Sequence, residues 1–218
     1  MNARKIGALA VLVVLGLVFY FGMNAYRDQT QAEQDARVVV EKSRLVRMHS
    51  PIIGPQSAPV TIVEFFDPAC ETCRAFYPIV KQIMAQHPGQ VRLALRYAPF
   101  HQGSDQVIKL LEAARKQDLY TPVLEALLGA QPEWADHVAP NLDLAFKIAQ
   151  DAGLDLARAR QDMETPEIQA VLAQDVEDLT ALQVRQTPTF FVNGSSLPSF
   201  GPEQLARLVD EAVMRTGR

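Results

Sequence analysis

The only two cysteines of the 218-residue chain, Cys70 and Cys73, stand in C-x-x-C spacing at the end of the stretch Val60–Cys73, VTIVEFFDPACETC. Val60, Ile62, Val63, Phe65 and Phe66 form a nearly continuous β-branched and aromatic run, which suits a central strand covered on both faces. Asp67-Pro68 ends it. Cys70 then falls at the start of a helix whose apolar face is Phe76, Ile79, Val80, Ile83 and Met84. At a helix start, unpaired backbone N–H groups and the helix dipole favour negative charge, so Cys70 is expected to be an exposed thiolate nucleophile. Cys73, one turn on and nearer the core, is placed to attack a mixed disulfide at Cys70 and release the partner. A pair this close in sequence closes too short a loop to staple a fold, which points to catalysis. Pro78 removes the hydrogen bond to the Arg74 carbonyl and should kink the helix just past the site.

Other residues have candidate roles. Glu64 lies in the middle of the buried strand, where a carboxylate is costly unless paired or protonated. It either reaches water or a basic partner, or relays protons for Cys73. His49, His87, His101 and His137 are dispersed. His87, before Pro88-Gly89, reads as a helix-end residue, and His101, after a main strand, is a candidate to line the site. Without paired His spacing no zinc motif is present, and Arg74 after Cys73 excludes haem attachment. No cofactor is expected. Phe100, Tyr120 and Trp134 are read as core.

The elements that must hold these groups follow from periodicity. Val91–Ala98 alternates, with Val91, Leu93, Leu95 and Tyr97 on one face. It reads as a second main strand, parallel to the first, with the cysteine helix as crossover. Helices are expected over Ser104–Gln117, Tyr120–Leu128, Leu142–Ala152, Leu156–Met163 and Glu167–Leu182, punctuated by Gly129, Pro132, Pro140, Gly153 and Pro166. Thr189–Val192 is a further strand, Asn193-Gly194 a hairpin turn, and Ser195–Phe200 its return. Gly201-Pro202-Glu203 opens the last helix. Leu45–Met48 is expected to be a short first strand, and Ser50–Pro59 a loop.

The segments EFFDPACETC (Glu64–Cys73) and TPTFFVNG (Thr187–Gly194) together resemble the thioredoxin superfamily, and within it the DsbA-like thiol-disulfide oxidoreductases. The resemblance runs from roughly Arg44 to the C-terminus. It implies an α/β thioredoxin-like fold, with the surplus helices of about 104–182 as a helical insertion before the cis-proline strand. It also implies a cis Thr187-Pro188 bond facing Cys70 and Cys73, with Thr187 offering backbone hydrogen bonds to an extended substrate. Glu64, six residues before Cys70, matches an acidic residue of that family, which supports the relay reading. Glu71-Thr72 departs from the Pro-His pair of the strong oxidases. At about 5 Å and an effective dielectric of 20–80, the Glu71 carboxylate would repel a Cys70 thiolate by roughly 0.8–3 kcal/mol. Cys70 is therefore expected to be less acidic, and the disulfide less oxidising, than in those oxidases.

Composition sets the remaining bounds. Hydrophobic content is 48% and net charge is −4, with no basic cluster, so nucleic acid is not an expected partner. Ile6–Met23 carries no charge, follows Arg4 and Lys5, and lacks a good cleavage site at Gly22-Met23-Asn24-Ala25. It is read as an uncleaved N-terminal transmembrane helix (residues 1–23), the rival being a cleaved signal peptide. Residues 24–43 are read as a helical stalk or plain spacer, and residues 44–218 as the catalytic domain. The charge pattern places that domain on the periplasmic or extracytoplasmic side of a bacterial inner membrane. The expected function is thiol-disulfide exchange with cysteine-containing exported proteins through Cys70 and Cys73, reset by an unidentified redox partner. The alternative is a chaperone-like peptide-binding or Cu(I)-handling protein using the same groove and cysteines.

Overall fold

The computed structural model describes Met23 and residues 43–217. The chain divides into two units, Met1–Ser43 and Arg44–Arg218, and every labelled element lies in the second. The expected transmembrane run and stalk lie outside the described residues, apart from Met23 and Ser43. Among the described residues no helix is long and apolar enough to cross a membrane.

The elements are β1 (Ile52–Ile53), β2 (Val60–Phe66), α1 (Glu71–Gln86), β3 (Val91–Tyr97), α2 (Ser104–Arg115), α3 (Tyr120–Gly129), α4 (Gln131–Trp134), α5 (Leu142–Asp151), α6 (Leu156–Met163), α7 (Pro166–Ala181), β4 (Thr189–Val192), β5 (Ser195–Ser196) and α8 (Pro202–Thr216). They build one sheet in the order β1-β3-β2-β4-β5. β2 pairs parallel with β3, from Val60 opposite Val91 to Phe66 opposite Tyr97, and antiparallel with β4, with Glu64 opposite Phe190. α1 is the crossover that joins this parallel pair, the connection that two neighbouring parallel strands require. At the β4–β5 hairpin, Asn193 and Gly194 take φ of 47° and 91°, as a tight two-residue turn demands.

Successive side chains of β2 point to opposite faces. Val60, Ile62 and Phe66 join one cluster with α1, α8 and the inserted helices, through residues such as Phe76, Val80, Leu110, Trp134 and Val209. Val63 and Phe65 point the other way, into a smaller cluster with Leu45, Ala94, Leu179 and Val184. The expectation of a strand covered on both faces is met for this reason.

Four readings are corrected. Residues 43–45 are helical and 46–50 form bends, turns and coil, so Leu45–Met48 is not a strand. Arg47 within it and Arg44 just before it are ion-pair partners of Asp178 on α7. The edge strand forms at Ile52–Ile53, inside the expected loop, because β3 offers a free edge there. The return strand stops at Ser196 rather than Phe200. Phe100 is 44% exposed rather than core, whereas Trp134 and Tyr120 are buried as expected.

β3 alternates as expected, with Val91, Leu93, Leu95 and Tyr97 in the larger cluster and Ala94 in the smaller. Arg96, on the same face as Ala94, is fully buried as well. It bonds Asp175 at 2.7 and 2.9 Å and Asp178 at 2.8 Å, both buried on α7, and donates to the Arg44 carbonyl. Arg44 and Arg47 reach Asp178 as well, at 3.0 and 2.6 Å, while His49 and the Tyr97 N–H bond Asp175. The insertion is thus clamped to the central sheet by a buried ionic network.

Candidate active site

β2 delivers the chain to the site through a tight turn. The Cys70 N–H donates to the Asp67 carbonyl at 3.1 Å, and Cys70 becomes the N-cap of α1 with an extended backbone. α1 runs through Pro78, buries Phe76, Val80 and Ile83, and ends at His87, whose Nε2 lies 2.8 Å from Asp210 on α8.

Both cysteines are free thiols. Cys70 is 5% exposed, less open than a helix start suggests, and Cys73 is wholly buried. The cover over Cys70 is the Thr187-Pro188 segment. That bond is cis, and the Thr187 carbonyl accepts from the Cys70 thiol at 3.3 Å. The carbonyl favours the protonated thiol, but stronger influences act the other way. A hydrogen bond from the Cys73 side chain, then the Thr187 side chain and the backbone N–H groups of Cys73 and Thr72, outweigh burial and bring Cys70 down to about 5. Thr72 acts through its backbone, its side chain lying at the surface. Cys73 moves the opposite way. Burial first, then its bond to Cys70 and the charge of Glu64, raise it far above the ordinary thiol range. The two sulfurs are a thiolate poised to attack and a thiol that holds its proton.

Glu64 lies 1% exposed on the face of β2 that carries Ile62 and Phe66, and neither carboxylate oxygen has a hydrogen-bond partner among the described residues. Burial, reinforced by the negative charge of Cys70, raises its pKa well above the usual carboxylate range. The basic partner that would explain it structurally is therefore missing, and a protonated carboxyl coupled to both thiols remains.

Glu71 does not act as its sequence position suggests. Its Oε1 lies 3.1 Å from His137 Nε2. Its own backbone N–H, with the charges of His137 and His101, lowers its pKa. It is not among the main influences on Cys70, so the expected repulsion does not govern the nucleophile's acidity.

Two positioning residues are not found by sequence reasoning. Asp67, treated only as a strand terminator, is fully buried. Its carboxylate accepts from the Ala69, Phe100 and His101 N–H groups at 2.8–2.9 Å, from His101 Nδ1 at 2.8 Å, and from the Ser104 hydroxyl. It ties the cysteine turn to the loop after β3, and its place before Pro68 is a weak signal for such a turn. Gln131, on the unexpected helix α4, donates Nε2 to the Pro68 carbonyl at 2.7 Å and to the Cys70 carbonyl at 3.0 Å. No local pattern marks it, because its partners lie 63 and 61 residues away.

A paired thiolate and buried thiol at the N-terminus of a helix, under a cis-proline loop, on a sheet of this topology, define a thioredoxin-type dithiol protein. A family model described as thioredoxin matches residues 47–211, and the chain belongs to that family. It is similar to a solved thioredoxin-like oxidoreductase from Silicibacter pomeroyi, with 33% identity and a TM-score of 0.69, covering 78% of this chain and 96% of that one. It is 24% identical to a probable disulfide bond formation protein D of Bacillus anthracis, over 95% of this chain and 94% of that protein. It is also 33% identical to a Na(+)/H(+) antiporter NhaA 3 of Salinispora tropica, over 65% of this chain but only 21% of the antiporter. The chain thus spans about a fifth of that relative's length.

Proposed function

We propose that this chain is a DsbA-type protein thiol-disulfide oxidoreductase, acting on cysteine-containing exported proteins and tethered to the membrane by Ile6–Met23, with its catalytic domain outside the cytoplasm. The observation that carries the catalytic reading is the opposite displacement of the two thiols, Cys70 down and Cys73 up, within one helical turn. The uncharged Ile6–Met23 run behind Arg4 and Lys5 supports the tether.

The cycle runs as follows. A client thiolate attacks Sγ of Cys70 in the disulfide form, a client–Cys70 bond forms, and the Cys70–Cys73 bond breaks. Cys73 leaves as a thiolate in a site that strongly disfavours one, and the protonated Glu64 carboxyl supplies its proton. A second client thiolate then attacks the client sulfur of the mixed disulfide and expels Cys70, which is stable as a thiolate. The client has lost two electrons and the dithiol has gained them. A redox partner removes them again. Stabilising the reduced form through Cys70 favours this oxidising direction.

Equilibration of the domain with glutathione tests it. A potential above that of thioredoxin, about −270 mV, is expected, and a lower one would assign the chain to reduction. The dithiothreitol–insulin assay separates a catalyst from a holdase or copper carrier, since only a catalyst speeds precipitation. Retention in membranes after a carbonate wash tests the tether, and recovery of a soluble form starting near Ala25 or later would exclude it.

A further inference from the structure

Glu71 on α1, His101 in the loop after β3 and His137 in the loop after α4 come from separate parts of the chain. Each offers one ligand atom, and these atoms lie within 4.8 Å of one another. The two imidazole rings are 4.7 Å apart between centroids. An exposed ion pair alone would explain the contact of Glu71 with His137, but it does not explain how His101 is held.

His101 is oriented by a buried carboxylate. Asp67 already accepts from three backbone N–H groups and the Ser104 hydroxyl, and His101 Nδ1 lies 2.8 Å from its Oδ2. An acceptor in that role requires the proton on Nδ1, which leaves the Nε2 lone pair of the neutral ring free for a ligand. A carboxylate behind one imidazole nitrogen, fixing the tautomer of the other, is how metal-ligating histidines are positioned. The His137 loop is also fixed, by Asp136 Oδ1 accepting from the Val138 and Ala139 N–H groups at 2.9 and 2.8 Å.

We propose that Glu71, His101 and His137 form a binding site for a borderline divalent cation of the Zn²⁺ class, beside the cysteine pair and independent of it. Two imidazoles and one carboxylate suit such an ion better than Ca²⁺ or Mg²⁺, which take oxygen ligands. Tetrahedral bonds of about 2.0–2.2 Å place donors about 3.4 Å apart. Glu71 and His137 are already at 3.1 Å, and both side chains are about half exposed or more, free to close on an ion with His101. Water would complete the coordination. The zinc site that local spacing did not suggest is thus assembled from residues distant in sequence.

The test uses the full chain in its disulfide form, in which neither cysteine can supply a thiolate, titrated with Zn²⁺ by calorimetry and with Co²⁺ by absorption. Saturable binding of a single equivalent is expected, with His137→Ala and Glu71→Gln each weakening it by about tenfold or more. His87→Ala, outside the cluster, should bind as the parent does. Absence of saturable binding up to millimolar Zn²⁺, or parental affinity in either His137→Ala or Glu71→Gln, overturns the proposal. Because no thiol takes part, failure here leaves the oxidoreductase reading standing, and the insulin assay decides that reading separately.

Discussion

Cys70 and Cys73 are the same side chain three positions apart, and their surroundings make them chemically different. Cys70 gathers donors at the end of a helix, while Cys73 is wrapped in apolar core. The rate of iodoacetamide alkylation of the reduced protein should therefore rise to a plateau with a midpoint at about 5, with Cys70 as the modified residue. A midpoint near the ordinary thiol value of about 8.5 would remove the basis for assigning the nucleophile. Cys73→Ser should accumulate mixed disulfides with clients. Glu64 supplies a second test at this scale. Its unfolded value is about 4.3, and burial raises it in the fold. Its contribution to stability is full below the unfolded value and is lost as pH rises toward the folded one. Urea unfolding of the oxidised protein should show Glu64→Gln gaining stability relative to the parent between about pH 4 and about pH 7. A difference that does not change with pH would mean that the carboxyl is not held neutral. The same variant should slow formation of the mixed disulfide, the step in which the departing Cys73 takes a proton.

At the scale of elements, the site depends on how the insertion reaches back to the cysteine turn. Gln131 on α4 is the link, since its amide donates to two carbonyls of that turn. Gln131→Leu leaves both buried acceptors without that donor, at a cost of about 1–3 kcal/mol. Chemical denaturation of the variant measures this loss. The pH midpoint of Cys70 alkylation should also shift, because the turn that aims the backbone N–H groups of Thr72 and Cys73 loses its support. An unchanged midpoint with reduced stability would make Gln131 a structural residue alone.

For the whole molecule, the Arg96–Asp175–Asp178 network joins the sheet, α7 and the segment before β1. Removing one partner of a buried ion pair leaves the others uncompensated. Arg96→Met should cost about 3–5 kcal/mol, read from the shift of the denaturation midpoint. Asp178 adds an acid dependence. Burial raises its pKa, but bonds from Arg47 and Arg96 outweigh it and hold the value below the ordinary 3.8. The stability it contributes is present above the unfolded value and is lost as pH falls through the folded one. Asp178→Asn should therefore flatten the fall in stability below about pH 4. An unchanged acid slope would place the acid sensitivity elsewhere.

Chemistry and fold class were legible in the chain itself. The strand run Val60–Phe66, the C-x-x-C pair, the Thr187-Pro188 motif and the helical periodicity of Ser104–Leu182 are local patterns, and local patterns report which side chains share one face of one element. They located the redox pair and most helices to within a few residues. Only the tertiary structure decided what surrounds each of those side chains. The burial of Arg96 depends on α7, whose Asp175 and Asp178 meet it on the face of β3 opposite Leu95 and Tyr97. The acceptor role of Asp67, the reach of Gln131 and the meeting of Glu71 with His101 and His137 depend on loops brought together across long sequence separations. The acidity of Cys70 belongs to the same class. Glu71 next to it in sequence suggested a weaker acid, but electrostatics acts through space, and in space Glu71 faces two histidines while Cys70 faces Cys73 and Thr187.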